Sequence, residues 1–286
     1  MARNGISRRV REGLPLVPFL TLVFIFLAIP TLTVVVKSVY SDGGVTFDRI
    51  SALFTGTALR ALWKSVLLSA STAVIGAFLG ALLAYLISSR PPDSLVRRMV
   101  VSVCSVLAQF GGVALAFAFL ATVGFNGVLT LWAKAHLGLD LTASGWIYDM
   151  SGLIVVYSYF QIPLMVIVFL PALEGLREQW REAAVSLGAT TWQYWRQVAI
   201  PLLTPAFLGS TLLLFANAFA AYATAAALIS QGQIIVPLLI RAALTSEVVL
   251  GQEGFGFALA VEMVVVVAIV MVAYNILLRR TSRWLQ

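Results

Sequence analysis

Few side chains in this 286-residue sequence could make or break a bond. There is one histidine, His136, one cysteine, Cys104, and an isolated Asp149 beside an apolar run. No H-E-x-x-H helix, Ser/His pair or pair of intramembrane acids occurs, so hydrolysis has no constellation to work with. A single thiol and a single imidazole cannot build a metal centre or an intramolecular disulfide. No G-x-x-x-x-G-K-[ST] phosphate loop is present either, which puts any nucleotide chemistry on another polypeptide. What remains is recognition, carried by polar groups set into apolar stretches.

Glu262, in "ALAVEMVVVVA", is the clearest of these, because a carboxylate in lipid is costly and normally faces protein or a water-filled path. It reads either as a pathway residue facing a cationic substrate or as a buried acid, protonated or paired with Lys64 or Lys37. Ser210, Asn217, Ala221 and Thr224 fall on one face at helical spacing. Tyr157 and Gln161 share another face just ahead of Pro163, and Gln109 precedes Gly111 and Gly112. Glu262, Asn217, Gln161, Tyr157, Gln109 and Thr224 are therefore the candidate substrate-pathway residues, although polar side chains also join helices to one another. The stripe of Ser65, Ser69, Thr72, Gly76 and Gly80 is assigned to helix packing for that reason.

Positioning these groups requires a membrane-spanning scaffold. The chain is 60% hydrophobic and 11% charged with mean hydropathy +0.97, far from the balance of soluble domains. Its net charge of +7 is scattered among apolar runs rather than gathered on one face, which argues against nucleic acid. Six runs are long enough to cross a bilayer as helices: about 14–36, 63–88, 99–123, 146–173, 200–229 and 255–278. The first follows twin arginines, but its length and the lack of an A-x-A site favour a retained span over a cleaved signal. The expected architecture is all-α: a tail 1–13, a first span 14–36, and a permease-like domain 60–279. With the N-terminus inside, only Lys37, Arg49, Arg60, Lys64, Lys134 and Arg241 of the 19 basic residues fall outside. The positive-inside rule then puts both termini in the cytoplasm. Two outer loops, 38–62 and 124–145, are expected, and a short helix is expected in the outer stretch that contains Pro237.

The longest inner connection, 174–199, holds "EGLREQWREAAVSLGATTWQYWRQVA". Glu174/Arg177 and Glu178/Arg181 stand three apart, as helix-stabilising pairs do. Gly188 breaks the run, and a second turn follows with Trp192 and Trp195 expected on one side. An amphipathic connector at the headgroups would account for the aromatics, but not for Glu-Ala-Ala, Gly-Ala and Ile-Pro-x-x-x-Pro at fixed distances. That conjunction resembles the EAA loop of type I ATP-binding-cassette importer permeases, the binding-protein-dependent inner-membrane family. The match falls on Glu182, Ala183, Ala184, Gly188, Ala189, Trp192, Trp195, Val198, Pro201 and Pro205. Leu187 stands where that family commonly has an aspartate, and Ile200 where leucine is common.

The resemblance implies a passive gate driven from outside. In that family the loop is a coupling helix docked in a groove of a separate ATPase, so Glu182, Ala183, Ala184, Gly188, Ala189, Trp192, Trp195 and Pro201 become the candidate coupling residues. The implied partners are two ATPase subunits, which use the ATP and Mg, and an extracytoplasmic substrate-binding protein. A second six-span permease is implied too, a paralogue first and an identical copy second. This chain is expected to need no cofactor and to lie, multi-pass, in a bacterial inner membrane. Three of its stretches are similar to spermidine and putrescine permeases, which suggests a polyamine-like cation; sugars, phosphonates, opines and ferric complexes remain alternatives.

Overall fold

The computed structural model describes residues 17–41, 44–45, 48–54, 56–229, 235–245 and 253–282; of residues 277–282 only the backbone path is described. The tail 1–13 lies outside that range. Among the described residues the chain is helical apart from one tiny antiparallel hairpin, β1 (Tyr40–Ser41) with β2 (Gly44–Val45). Among the described residues, six helices are long and apolar enough to cross a membrane. Two compact units divide the chain, one of residues 1–59 with 239–264 and one of residues 60–238 with 265–286.

The first unit holds α1 (Val17–Val39), interrupted by a π turn at Phe24–Ala28, and α2 (Asp48–Leu53). The apolar side chains of α1 are turned outward, as a lipid-facing helix requires. Arg49 of α2 donates to the main-chain oxygens of Lys37 and Tyr40, 2.9 Å each, so one guanidinium ties α2 to the end of α1 and the hairpin. The expected outer loop 38–62 is thus largely ordered structure, and the next helix, α3 (Gly56–Ser88), begins inside it.

The second unit is built around α7 (Met150–Glu174), whose Leu153, Val156, Tyr157, Gln161, Met165 and Val166 have no exposed surface. A helix apolar on every side belongs at the centre of a bundle. Helix α4 (Leu95–Gln109) packs on it, as does α9 (Thr191–Ala220). The small-residue stripe of α3 does what its composition predicts. Ser65, Ser69 and Thr72 are buried, and a Cβ placed on Gly76 or Gly80 would lie 2.8 Å from the Cβ of Gln161 or 2.5 Å from that of Met165. Ser65 also accepts from the main-chain N–H of Val236, 2.8 Å away, at the start of α11 (Val236–Thr245). That helix is the short one expected around Pro237. The last helix, α12 (Glu253–Ser282), anchors its second half through the Tyr274 hydroxyl, which donates to Pro205 O at 3.0 Å over Gly209.

Two expected spans are corrected. The third, 99–123, is cut at Phe110 and Gly111 into α4 and α5 (Gly112–Val123), and the qualifying stretch runs on to Leu137. The cause is local: Gly112 adopts φ +69°, open to glycine without strain, and adjacent glycines do not hold a helix straight. The outer loop 124–145 therefore contains a helix, α6 (Val128–Leu137), closed by Gly138 at φ +64°. After it, Asp140 accepts from the Thr142 N–H and from Lys134, which holds its carboxyl below the ordinary range. The fifth, 200–229, starts earlier, at Thr191, and breaks at Ala221–Tyr222 before α10 (Ala223–Leu228). Its π turn, Trp195–Ala199, immediately precedes Pro201, which has no N–H to give and whose ring crowds the Gln197 carbonyl.

Replacing Gly80 with valine should push α3 off α7 and cost about 1–3 kcal/mol, as overpacking does. A clear drop in thermal unfolding temperature of the detergent-purified chain is expected; an unchanged value would remove this contact from the core.

Candidate functional site

The connection between α7 and α9 folds into a defined elbow. Helix α8 (Glu178–Ser186) ends at Leu187, and Gly188 takes φ +80°. The Gly188 N–H donates to Val185 O and the Ala189 N–H to Ala184 O, both at 2.9 Å, the paired bonds of a Schellman ending. A Cβ at Gly188 would touch nothing, so glycine is required here by backbone conformation alone. The chain restarts at once. Thr190 accepts from the Gln193 N–H at 3.3 Å, while the Thr190 N–H donates to Gln193 Oε1 at 2.7 Å. This is a capping box, legible in the sequence as T-x-x-Q but not used in the reading above.

Both arms of the elbow are tied to the bundle. Trp195 packs edge-on against Tyr85 of α3, ring centroids 5.2 Å apart. Glu174, expected to pair with Arg177, instead pairs with Arg97 of α4. Nor do Glu178 and Arg181 form an ion pair, although both line one cavity. The two tryptophans also part company: Trp195 is half-buried, whereas Trp192 is 68% exposed. The outer surface of the elbow carries Glu182 and Ala183, with Val185 61% and Leu187 88% exposed. Ala184, Ala189 and Pro201 are half-buried on its inner side. Leu187, the residue that departs from the family pattern, is thus the most prominent apolar group of the tip.

The pathway candidates divide into two groups. Gln109, Asn217 and Thr224 line one cavity of about 320 Å³. It lies where the break between α4 and α5 meets the break between α9 and α10, with Gly111, Gly112 and Ala221 also on its wall. Thr224, on this wall, is 98% buried. Tyr157 and Gln161 do not line the cavity. The Tyr157 hydroxyl donates to Ala221 O at 2.6 Å and holds the break in place, and Gln161 donates to Leu214 O at 2.8 Å, joining α7 to α9. Phe160, on the cavity wall, was not singled out from the sequence, since nothing distinguishes it from other core aromatics. Glu262 lies in the first unit, half-buried, with Oε2 buried and unbonded among the described residues. Lys37, one of its two expected partners, instead lies over the Phe257 ring at 5.3 Å.

The elbow and the helical bundle have the form that the resemblance implies. Residues 76–283 match the family described as "Binding-protein-dependent transport system inner membrane component", and the chain belongs to that family. It is a multi-pass inner-membrane protein of the permease type. The probable permease y4fN of Sinorhizobium fredii is 28% identical over 229 residues, 78% of this chain and 39% of that protein. This chain thus spans about two fifths of y4fN. The sulfate permease CysT of Escherichia coli is 29% identical over 215 residues, covering 73% of this chain and 72% of CysT. A bacterial alginate ABC transporter shares the fold with TM-score 0.77 at 20% identity, over 96% of this chain and 97% of that one. Its complex with an alginate-pentasaccharide-bound periplasmic protein gives 0.74 at 19%, over 96% of both chains.

Thr190→Ala removes one half of the capping box and should loosen the start of α9 by about 1 kcal/mol. Faster amide exchange confined to residues 191–194 is the expected readout; unchanged protection there would mean that the cap does not hold the elbow.

Proposed function

We propose that the chain forms one half of the translocation pathway of an ATP-driven importer and moves by alternating access. Its elbow is pushed by a separate ATPase subunit. The observation that carries this is the elbow itself, hydrogen-bonded shut at Gly188 and at Thr190, tied to α3 and α4 at its base, and apolar at its exposed tip. A soluble connector gains nothing from presenting Val185, Leu187 and Trp192 to water, whereas a docking surface does. Glu182 beside them can pair with a basic group of the partner.

The assembly follows from the incompleteness of the chain. One bundle cannot enclose a path, so a second six-span permease is required, first a paralogue and second another copy. Two ATPases meet the two elbows and supply the ATP and Mg chemistry. An extracytoplasmic binding protein delivers the substrate, in keeping with the periplasmic protein named in the alginate complex. The arginine distribution supports the orientation with both termini and the elbow in the cytoplasm.

The substrate is taken up at the cavity between the two helix breaks. Interrupted helices leave main-chain N–H and C=O groups free to bind, and here Gln109, Asn217 and the Thr224 hydroxyl stand beside them. None of the cavity-lining residues is charged, and the relatives named above concern sulfate and alginate. The polyamine-like cation expected from Glu262 finds support in neither. Glu262, with its buried, unbonded oxygen, is retained as a second pathway residue.

Two outcomes are expected in proteoliposomes of the complete complex. Gly188→Val forces a β-branched residue into a left-handed turn and should leave ATP hydrolysis running with uptake reduced at least about tenfold, the effect of losing roughly 1.4 kcal/mol of coupling. Full coupled uptake would refute the elbow's role. Asn217→Ala with Thr224→Val should raise the KM for transport of whichever of sulfate, alginate oligosaccharide or spermidine the complex carries, without lowering the unfolding temperature. An unchanged KM would take the cavity off the pathway.

A further inference from the structure

A second cavity, of about 460 Å³, lies under the elbow, between the last turns of α3 and α7 and the start of α9. Of the apolar groups at the docking tip only Val185 reaches its wall, and it shares no residue with the cavity between the helix breaks. Three charged side chains face it: Arg177, Arg181 and Glu178. Although Glu178 stands three residues before Arg181 in α8, neither Arg181 nor Arg177 forms an ion pair with it among the described residues, and Arg177 lies 6.0 Å from the Trp180 ring. The groove therefore holds two positive charges against one negative, with both guanidiniums unneutralised.

The rest of the lining fits an anion at the edge of a bilayer. Tyr85, Tyr194 and Trp195 form an aromatic rim where two apolar helices end, at Ser88 and Glu174, the depth at which such rings meet headgroups. Thr191 adds a hydroxyl that no described residue engages, at the N-terminal and thus positive end of α9. Guanidinium pairs grip phosphate with parallel N–H donors, and basic pockets between helix ends are where anionic headgroups settle.

We infer that this groove binds a phosphate group, supplied by the headgroup of an anionic phospholipid, and that Arg177 and Arg181 are its ligands. Seated there, the headgroup bridges the elbow to α3 and α7 and braces the elbow against the bundle. This inference does not depend on which substrate the cavity between the helix breaks carries.

Native mass spectrometry of the detergent-purified full chain tests it, with phosphatidylglycerol and phosphatidylcholine in competition and inorganic phosphate in a separate arm. Wild type should retain phosphatidylglycerol in preference. Arg177→Gln and Arg181→Gln should each reduce that preference roughly fivefold, the worth of one basic residue near an anionic headgroup. Both side chains are exposed, so folding should survive. Glu178→Gln, which removes the opposing charge, should increase the preference. Displacement of the lipid by millimolar inorganic phosphate would support the phosphate site while assigning it to a soluble source. An equal preference in wild type and in the double arginine variant, or a fall in the Glu178 variant, would overturn the site.

Discussion

A link between two membrane helices can transmit force only if it yields less than the helices it moves. Here the stiffness comes from main-chain hydrogen bonds. Helix α8 is closed by two bonds around Gly188, and α9 is opened two residues later by the reciprocal bonds of Thr190 and Gln193. Only Ala189 separates the closing glycine from the opening threonine. The link has little slack, and the Trp195–Tyr85 and Arg97–Glu174 contacts tie it to α3 and α4. The exposed apolar tip costs stability in isolation, which is reasonable only if the surface is covered when the protein works.

The opposite logic governs the interior. Lipid offers no partner to an open main-chain group, so a helix can break within a span only where protein or a water-filled cavity takes up the freed groups. Two such breaks face each other here, and the second is held by the Tyr157 hydroxyl on Ala221 O, 2.6 Å away. Tyr157 and Gln161 thus act from the packed side of α7 as positioning groups, and Gln109, Asn217 and Thr224 meet the space they keep open. A hydrogen-bonded elbow and a discontinuous interior sit at the two ends of α9, a single helix of 30 residues.

Much of this was legible in the sequence, and the exceptions share a cause. Apolar length gave the helices, and the small stripe of α3 gave its contact with α7, because both depend on side-chain type alone. The elbow could be read because glycine at Gly188 is a conformational requirement. The break at Gly111 and Gly112 left a signal, two adjacent glycines, that the apolar run concealed. The break at Ala221 left none: "AFAAYATAAAL" would make a sound helix, and the tyrosine whose hydroxyl holds the break lies 64 residues earlier in the chain. Likewise Glu174 chose Arg97 over its helical neighbour, since a tertiary partner outweighed a weak pair three residues away. Contacts set by the bundle rather than by neighbours in sequence were out of reach.

The central claim is that the tip of the elbow is covered by an ATPase subunit. With Cys104 replaced by alanine and Leu187 by cysteine, maleimide labelling of the purified chain alone should be fast, because that position is 88% exposed. Adding the partner ATPase should slow labelling by at least about tenfold, as burial in an interface worth roughly 1.4 kcal/mol or more would. Equal labelling rates with and without a bound, hydrolysing ATPase would contradict the account.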